Sequence, residues 1–200
     1  RDGGDLDLDA SLDAIADGRA SGVIDAERLR MRGWVRPGTG LCLLVDRSGS
    51  MGGKPLATAA LAAAAVASRS PDDYSVLAFG KDVVVAKGQT TPKPNDMVVT
   101  DVLSLRGFGT TDLAGALRVA GDQLARSRAG RKVTVLLSDC RATVDGDPVA
   151  AAGCLDGTRK IAPESDSEEA EAFCRRTGAT LTTISGPSQV AEALSAALSR

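Results

Sequence analysis

Histidine is absent from the 200 residues of this chain. Without an imidazole, Ser-His and Cys-His nucleophilic catalysis, histidine-ligated metals and a histidine pH switch are all excluded. Aromatic residues are nearly as scarce, with one Trp, one Tyr and three Phe. A core must therefore be built from Ala, Val and Leu, and 43% hydrophobic residues suffice to build one. The net charge is −2 and no basic block occurs, which argues against a nucleic-acid partner. The four cysteines, Cys42, Cys140, Cys154 and Cys174, show no C-x-x-C spacing, which argues against zinc. They read as free thiols of a reducing compartment. No apolar run has the length needed to span a bilayer, and no signal-peptide pattern is visible. A cytoplasmic location without membrane insertion is the expectation. The chain opens on Arg1 rather than Met, as a piece of a longer protein would.

What is present is an alternation of strand and helix patterns. Residues 1–24 are acidic and Gly-rich, and Leu8, Leu12 and Ile15 form one helical stripe that predicts a short helix. Residues 28–36 alternate basic and apolar residues in their first half and predict a half-exposed edge strand. From there the pattern is regular. The apolar run 41–45 predicts a buried strand and 55–68 an Ala-rich buried helix with Pro at its start. Strands over 74–79 and 82–86 flank Gly80-Lys81, a hairpin signal. Helices are predicted over 95–103, 112–127, 166–177 and 187–199, and strands over 132–138 and 179–184. Residues 140–157 read as a loop with a short Ala-rich helical piece. A strand is needed near 158–162, although Thr158-Arg159-Lys160-Ile161-Ala162 is poor material for a buried one. The implied fold class is α/β, with a doubly wound, mostly parallel central sheet, one antiparallel edge strand and helices on both faces.

Asp46-Arg47-Ser48-Gly49-Ser50 follows the apolar run 41–45 directly. One carboxylate and two hydroxyls thus stand at alternate positions just beyond a buried strand. Hard oxygen donors in such a group suit Mg²⁺, which favours octahedral oxygen ligation with retained waters; Mn²⁺ and Ca²⁺ are the alternatives. In open α/β sheets the ligand site lies beyond the carboxyl ends of the strands. Asp139 follows the strand over 132–138, and Thr110-Thr111 precedes the next helix, so both loops fall on that same edge. Each of these residues has a plainer reading. Asp46 and Ser48 suit a helix-capping turn, and Thr111-Asp112 an N-cap, since Asp, Ser and Thr are preferred there. Asp72-Asp73 and Asp145-Gly146-Asp147 read as turn residues.

Together, Asp46-x-Ser48-x-Ser50, Gly109-Thr110-Thr111-Asp112-Leu113-Ala114-Gly115-Ala116-Leu117 and Leu136-Leu137-Ser138-Asp139 resemble a von Willebrand factor type A domain with its metal-ion-dependent adhesion site. The motifs stand in the family's order. The resemblance divides the chain into an acidic N-terminal extension, 1–37, and a domain over 38–200. It implies Asp46, Ser48, Ser50, Thr111 and Asp139 as metal ligands, the hydroxyls touching the ion and the aspartates acting largely through water. Thr111 is favoured over Thr110 by its distance from Leu117. Cys140 departs from the family by standing where Gly commonly follows the second aspartate. Two carboxylates and three neutral hydroxyls carry a charge of −2, which matches Mg²⁺.

The implied function is a metal-dependent protein-interaction module, not an enzyme, in which the cation takes an Asp or Glu of a partner protein. The Asp46-Arg-Ser-Gly-Ser-Met run is similar to intracellular bacterial members of the chelatase D-subunit and CoxE type. That similarity implies a MoxR- or chelatase-type AAA+ ATPase, or its client, as partner. The competing reading is a nucleotide-binding or chelatase-associated enzyme subunit. Ser48-Gly49-Ser50-Met51-Gly52-Gly53-Lys54-Pro55 superficially resembles a phosphate loop, but Ser48 stands at its first Gly and Pro55 replaces the Ser or Thr that would hold Mg²⁺. A serine hydrolase lacks both a G-x-S-x-G elbow and a histidine.

Overall fold

The computed structural model describes residues 5–32, 36–47, 54–105, 109–163 and 167–198. The chain divides into two compact units, Arg1–Arg36 and Pro37–Arg200.

In the first unit, strand β1 (Asp5–Leu6) leads into helix α1 (Leu8–Ser21), and β1 pairs antiparallel with β2 (Met31–Arg32). Asp7 caps the helix by accepting from the Ala10 amide at 3.1 Å. Gly22 ends it in the left-handed conformation, φ 76°. The apolar stripe expected to dock the helix is not its buried face. Leu8 and Leu12 are 62% and 59% exposed, whereas Ser11, Ala14 and Gly18 are buried. The reason is the returning chain. The Ser11 hydroxyl accepts from the Arg30 amide at 2.9 Å, and a Cβ on Gly18 would lie 2.6 Å from Ile24 Cγ1. Only small residues allow that approach. The strand expected over 28–36 is also cut short. Ala26–Arg28 form a 3₁₀ turn, because Asp25 accepts from the Glu27 amide at 3.0 Å and caps it. Among the described residues of this stretch, strand pairing is confined to β2 and to the strand that starts at Arg36; residues 33–35 lie outside the described residues.

The second unit is a six-stranded sheet wrapped by helices. Its elements are β3 (Arg36–Asp46), α2 (Lys54–Arg69), β4 (Tyr74–Phe79), β5 (Val83–Lys87), α3 (Asn95–Ser104), α4 (Leu113–Leu124), β6 (Ala129–Leu137), α5 (Pro148–Gly153), β7 (Thr158–Pro163), α6 (Glu168–Thr177), β8 (Thr180–Ile184) and α7 (Val190–Leu198). The sheet order is β5-β4-β3-β6-β7-β8. β4 runs parallel to β3, and β7 runs parallel to both β6 and β8. β5 pairs antiparallel with β4 and forms one edge. This is the doubly wound, mostly parallel architecture with one antiparallel edge strand.

The core is two layers, one on each face of the sheet. On β3, Leu41, Leu43 and Val45 point to the face covered by α2, α3 and α7. Cys42 and Leu44 point to the face covered by α4, α5 and α6. A strand buried on both faces reads as a continuous apolar run, which is what residues 41–45 show. Ala59, Ala62 and Ala63 of α2 are fully buried, so small side chains let this helix lie close to the sheet. β7 forms where a strand was expected near 158–162, although its residues are weak material for one. Thr158, Ile161 and Ala162 are buried, and neighbours on both sides supply its ladder, so tertiary pairing overrides a weak local propensity.

Candidate metal centre

Three loops leave the sheet at the carboxyl ends of β3 and β6 and at the start of α4. Asp46 is the last residue of β3 and is 1% exposed. Its Oδ2 accepts from the Ser138 hydroxyl at 2.7 Å. Ser138 follows the last residue of β6, and its Oγ in turn accepts from the Cys140 amide at 2.9 Å. A short relay of hydrogen bonds therefore ties the ends of two neighbouring central strands. Asp139 is half-buried, and its Oδ1 accepts from the Arg141 amide at 3.0 Å.

The Thr111 loop is stitched to both neighbours. The Thr111 amide donates to Thr143 Oγ1 at 2.8 Å, and the Thr143 amide donates back to the Thr111 carbonyl at 3.1 Å. Thr111 is 2% exposed, whereas Thr110 is exposed. Asp112 caps α4 by accepting from the Gly115 amide at 2.8 Å, so the plainer reading of that residue holds beside its place in the loop. Two successive carbonyls of the β4–β5 hairpin hold the loops from the other side. Phe79 O accepts from the Arg47 amide and Gly80 O from the Asp112 amide, each at 2.8 Å. The Arg47 guanidinium reaches Asp82 O at 3.3 Å.

Of the five residues singled out in the sequence, the structure brings Asp46, Thr111 and Asp139 to one edge of the sheet. Ser48 and Ser50 lie outside the described residues. Among the described residues no group of three or more Cys, Asp or Glu has the placement to hold a metal ion. The donor chemistry fits a small hard cation. Asp46 is a buried carboxylate whose Oδ2 is oriented by the neutral Ser138 hydroxyl. Sequence reading gave Ser138 no role, and its one signal was a lone hydroxyl ending an apolar strand. Thr143 carried no signal at all.

Cys140 occupies the left-handed region at φ 65° with its side chain buried. This is where the sequence departs from Gly. The backbone keeps the glycine-type turn, and the thiol packs into the layer under α4 and α6. Asp147 caps α5 through the Val149 and Ala150 amides, both at 3.0 Å, and so has a structural role. Asp73 is likewise structural, accepting from Gln89 Nε2 and Ser127 Oγ, both at 2.7 Å.

A fold of this topology, with an aspartate ending its central strand, belongs to a class that binds ligands at the carboxyl edge of the sheet. The family model of the von Willebrand factor type A domain matches residues 41–141, and the chain belongs to this family. Several solved structures share the fold. Proximal thread matrix protein 1 from the mussel byssus aligns at 16% identity and a TM-score of 0.65, over 82% of this chain and 48% of that one. That protein has also been solved with a zinc-occupied MIDAS motif. The von Willebrand factor type A protein from Catenulispora acidiphila aligns at 18% identity and a TM-score of 0.65, over 84% and 43%. Manganese-loaded TRAP protein from Plasmodium vivax aligns at 17% identity and a TM-score of 0.63, over 78% and 72%. The chain thus spans less than half the length of the first two. No curated protein sequence matches it. Among the described residues no helix is long and apolar enough to cross a membrane.

Proposed function

We propose that this chain is a metal-dependent protein-interaction module whose cation is held by Asp46, Ser48, Ser50, Thr111 and Asp139. The carrying observation is the buried Asp46 carboxylate, oriented by Ser138 at the strand ends where the Thr111 and Asp139 loops meet. The cation is Mg²⁺, with Mn²⁺ able to replace it; one structural neighbour with a zinc-occupied MIDAS motif and another that is manganese-loaded support a divalent ion. When bound, the ion supplies an electrophilic position for an Asp or Glu of another protein. The chain's own residues set the rest. Ser138 aims Asp46, Thr143 fixes the Thr111 backbone, and the Phe79 and Gly80 carbonyls hold the loops in register. The chain is a binding module and not an enzyme. It works in the cytoplasm beside an AAA+ ATPase of the MoxR or chelatase type, or with its client, on the strength of the Asp46-Arg-Ser-Gly-Ser-Met resemblance.

The test is calorimetric titration with Mg²⁺ and Mn²⁺, followed by capture from lysate in Mg²⁺ and elution with EDTA. Asp46→Ala and Asp139→Ala should each remove metal binding and EDTA-sensitive capture while keeping the circular dichroism of the fold. Metal binding that survives either substitution would overturn the ligand assignment. An eluate without an ATPase or its client would overturn the partner.

A further inference from the structure

We infer that the recess adjoining the metal centre takes an apolar side chain of the same partner segment that brings the acid, so that the preferred ligand is an acidic peptide with a Leu- or Phe-type residue close to its carboxylate. The inference rests on the metal-site reading above. The recess has a volume of about 360 Å³, at the small end of the range for ligand clefts. Its apolar lining includes Leu113, Pro148, Val149, Ala172 and Phe173. Arg141, Arg176 and Glu169 supply its charges, two positive against one negative, which favours an anionic segment over a cationic one.

Its position is what links it to the cation. Cys140 and Arg141 of the recess wall follow Asp139 directly, and Leu113 lies two residues beyond Thr111. Two residues of chain span at most about 7 Å. The Arg141 amide also donates to Asp139 Oδ1 at 3.0 Å, so the wall and the candidate ligand form one loop. An extended peptide advances about 3.3 Å per residue. Its acid and its apolar residue must therefore stand one to three positions apart to occupy both places. This gives the interaction a sequence rule: the metal reads the acid, and the recess reads its neighbour.

A peptide library tests the rule. Each immobilised peptide carries one Asp or Glu among positions varied over Gly, Ser, Ala, Leu, Phe and Lys, and the full chain is applied in magnesium chloride with an EDTA control. EDTA-sensitive capture should favour peptides with Leu or Phe one to three residues from the acid by roughly tenfold or more over Gly, as burial of one such side chain implies. Ala172→Trp fills the recess from α6 and should abolish that preference. Mn²⁺ binding, read by electron paramagnetic resonance, should be unchanged. Val149→Lys, which places a charge in the recess, provides the same readout should the Trp variant misfold. Metal-dependent capture without the spacing preference, the same preference in both variants, or Mn²⁺ binding with no peptide captured would each overturn the recess and leave the metal centre standing. Absence of Mn²⁺ binding in the unmodified chain would instead overturn the metal reading on which the recess depends.

Discussion

Ser138 shows how much one hydroxyl can carry. It donates to Asp46 at the end of β3 and accepts from the Cys140 amide at the turn beyond β6. Ser138→Ala removes both bonds and leaves a buried carboxylate without one of its donors. Loss of stability by about 1–3 kcal/mol is expected in urea denaturation. Metal affinity should fall about 10–100-fold, the usual effect of removing a group that orients a ligand, measured by Mn²⁺ titration. Cys140 makes a contrasting case. Its left-handed φ of 65° costs an L-residue about 1–2 kcal/mol, and burial of its small side chain returns a similar amount. Cys140→Gly should therefore change stability by less than about 1 kcal/mol, whereas Cys140→Val, β-branched and poorly suited to that conformation, should destabilise the chain measurably. Cys42 tests burial directly. Burial pushes its thiol pKa up from 9.0 to about 12, against a smaller opposing effect of the nearby Ser75 hydroxyl. The folded state thus favours the protonated thiol, and this contribution is complete below pH 9 and lost as the pH rises from 9 towards 12. Cys42→Ala should flatten the alkaline fall in stability over that window. In the native chain at pH 8, alkylation should reach exposed Cys154 and spare Cys42.

At the level of elements, the sequence was most legible where burial is uniform. The run 41–45 and the strand 74–79 announce themselves because both faces of the sheet need apolar side chains. The hairpin at Gly80 follows from its turn residues. Two features were not legible, each for a physical reason. The buried face of α1 is set by Ser11, Ala14 and Gly18, and close packing of small residues has no hydrophobic signature. β7 was expected at its place from the alternation of elements, and pairing on both sides holds it despite weak local material. The placement of Asp46, Thr111 and Asp139 at one sheet edge was legible, because they end or begin strongly patterned elements, but the contacts of Ser138 and Thr143 run across distant loops and left no pattern in the sequence. The start of α4 offers a local test. A Cβ at Gly115 would lie 2.3 Å from Asp112 Oδ2, so Gly115→Ala must displace the capping carboxylate. The expected cost is about 1 kcal/mol for the cap, partly offset by the higher helix propensity of Ala. Asp112→Ala should cost a similar amount, and the double variant should not cost the sum, because both lose one hydrogen bond.

For the molecule as a whole, the five proposed ligands all fall within the unit Pro37–Arg200, although three remote loops supply them. A cation joining those loops binds the folded chain and not the unfolded one, so it must raise the melting temperature. At a metal concentration about 100 times the dissociation constant, the gain is about 2.7 kcal/mol. For a chain of this size that corresponds to a rise of roughly 5–10 °C. Scanning calorimetry in Mg²⁺ or Mn²⁺ against EDTA should show that rise in the whole chain. A chain shortened to residues 37–200 should show the same rise, because residues 1–36 hold none of the ligands. Asp46→Ala should abolish it. Adding ATP should produce no further shift, because Ser48 and Pro55 stand where a phosphate loop needs Gly and Ser or Thr. A shift that required nucleotide would transfer the loop after β3 from protein recognition to phosphate binding. A shift lost with residues 1–36 would make the N-terminal unit part of the metal centre.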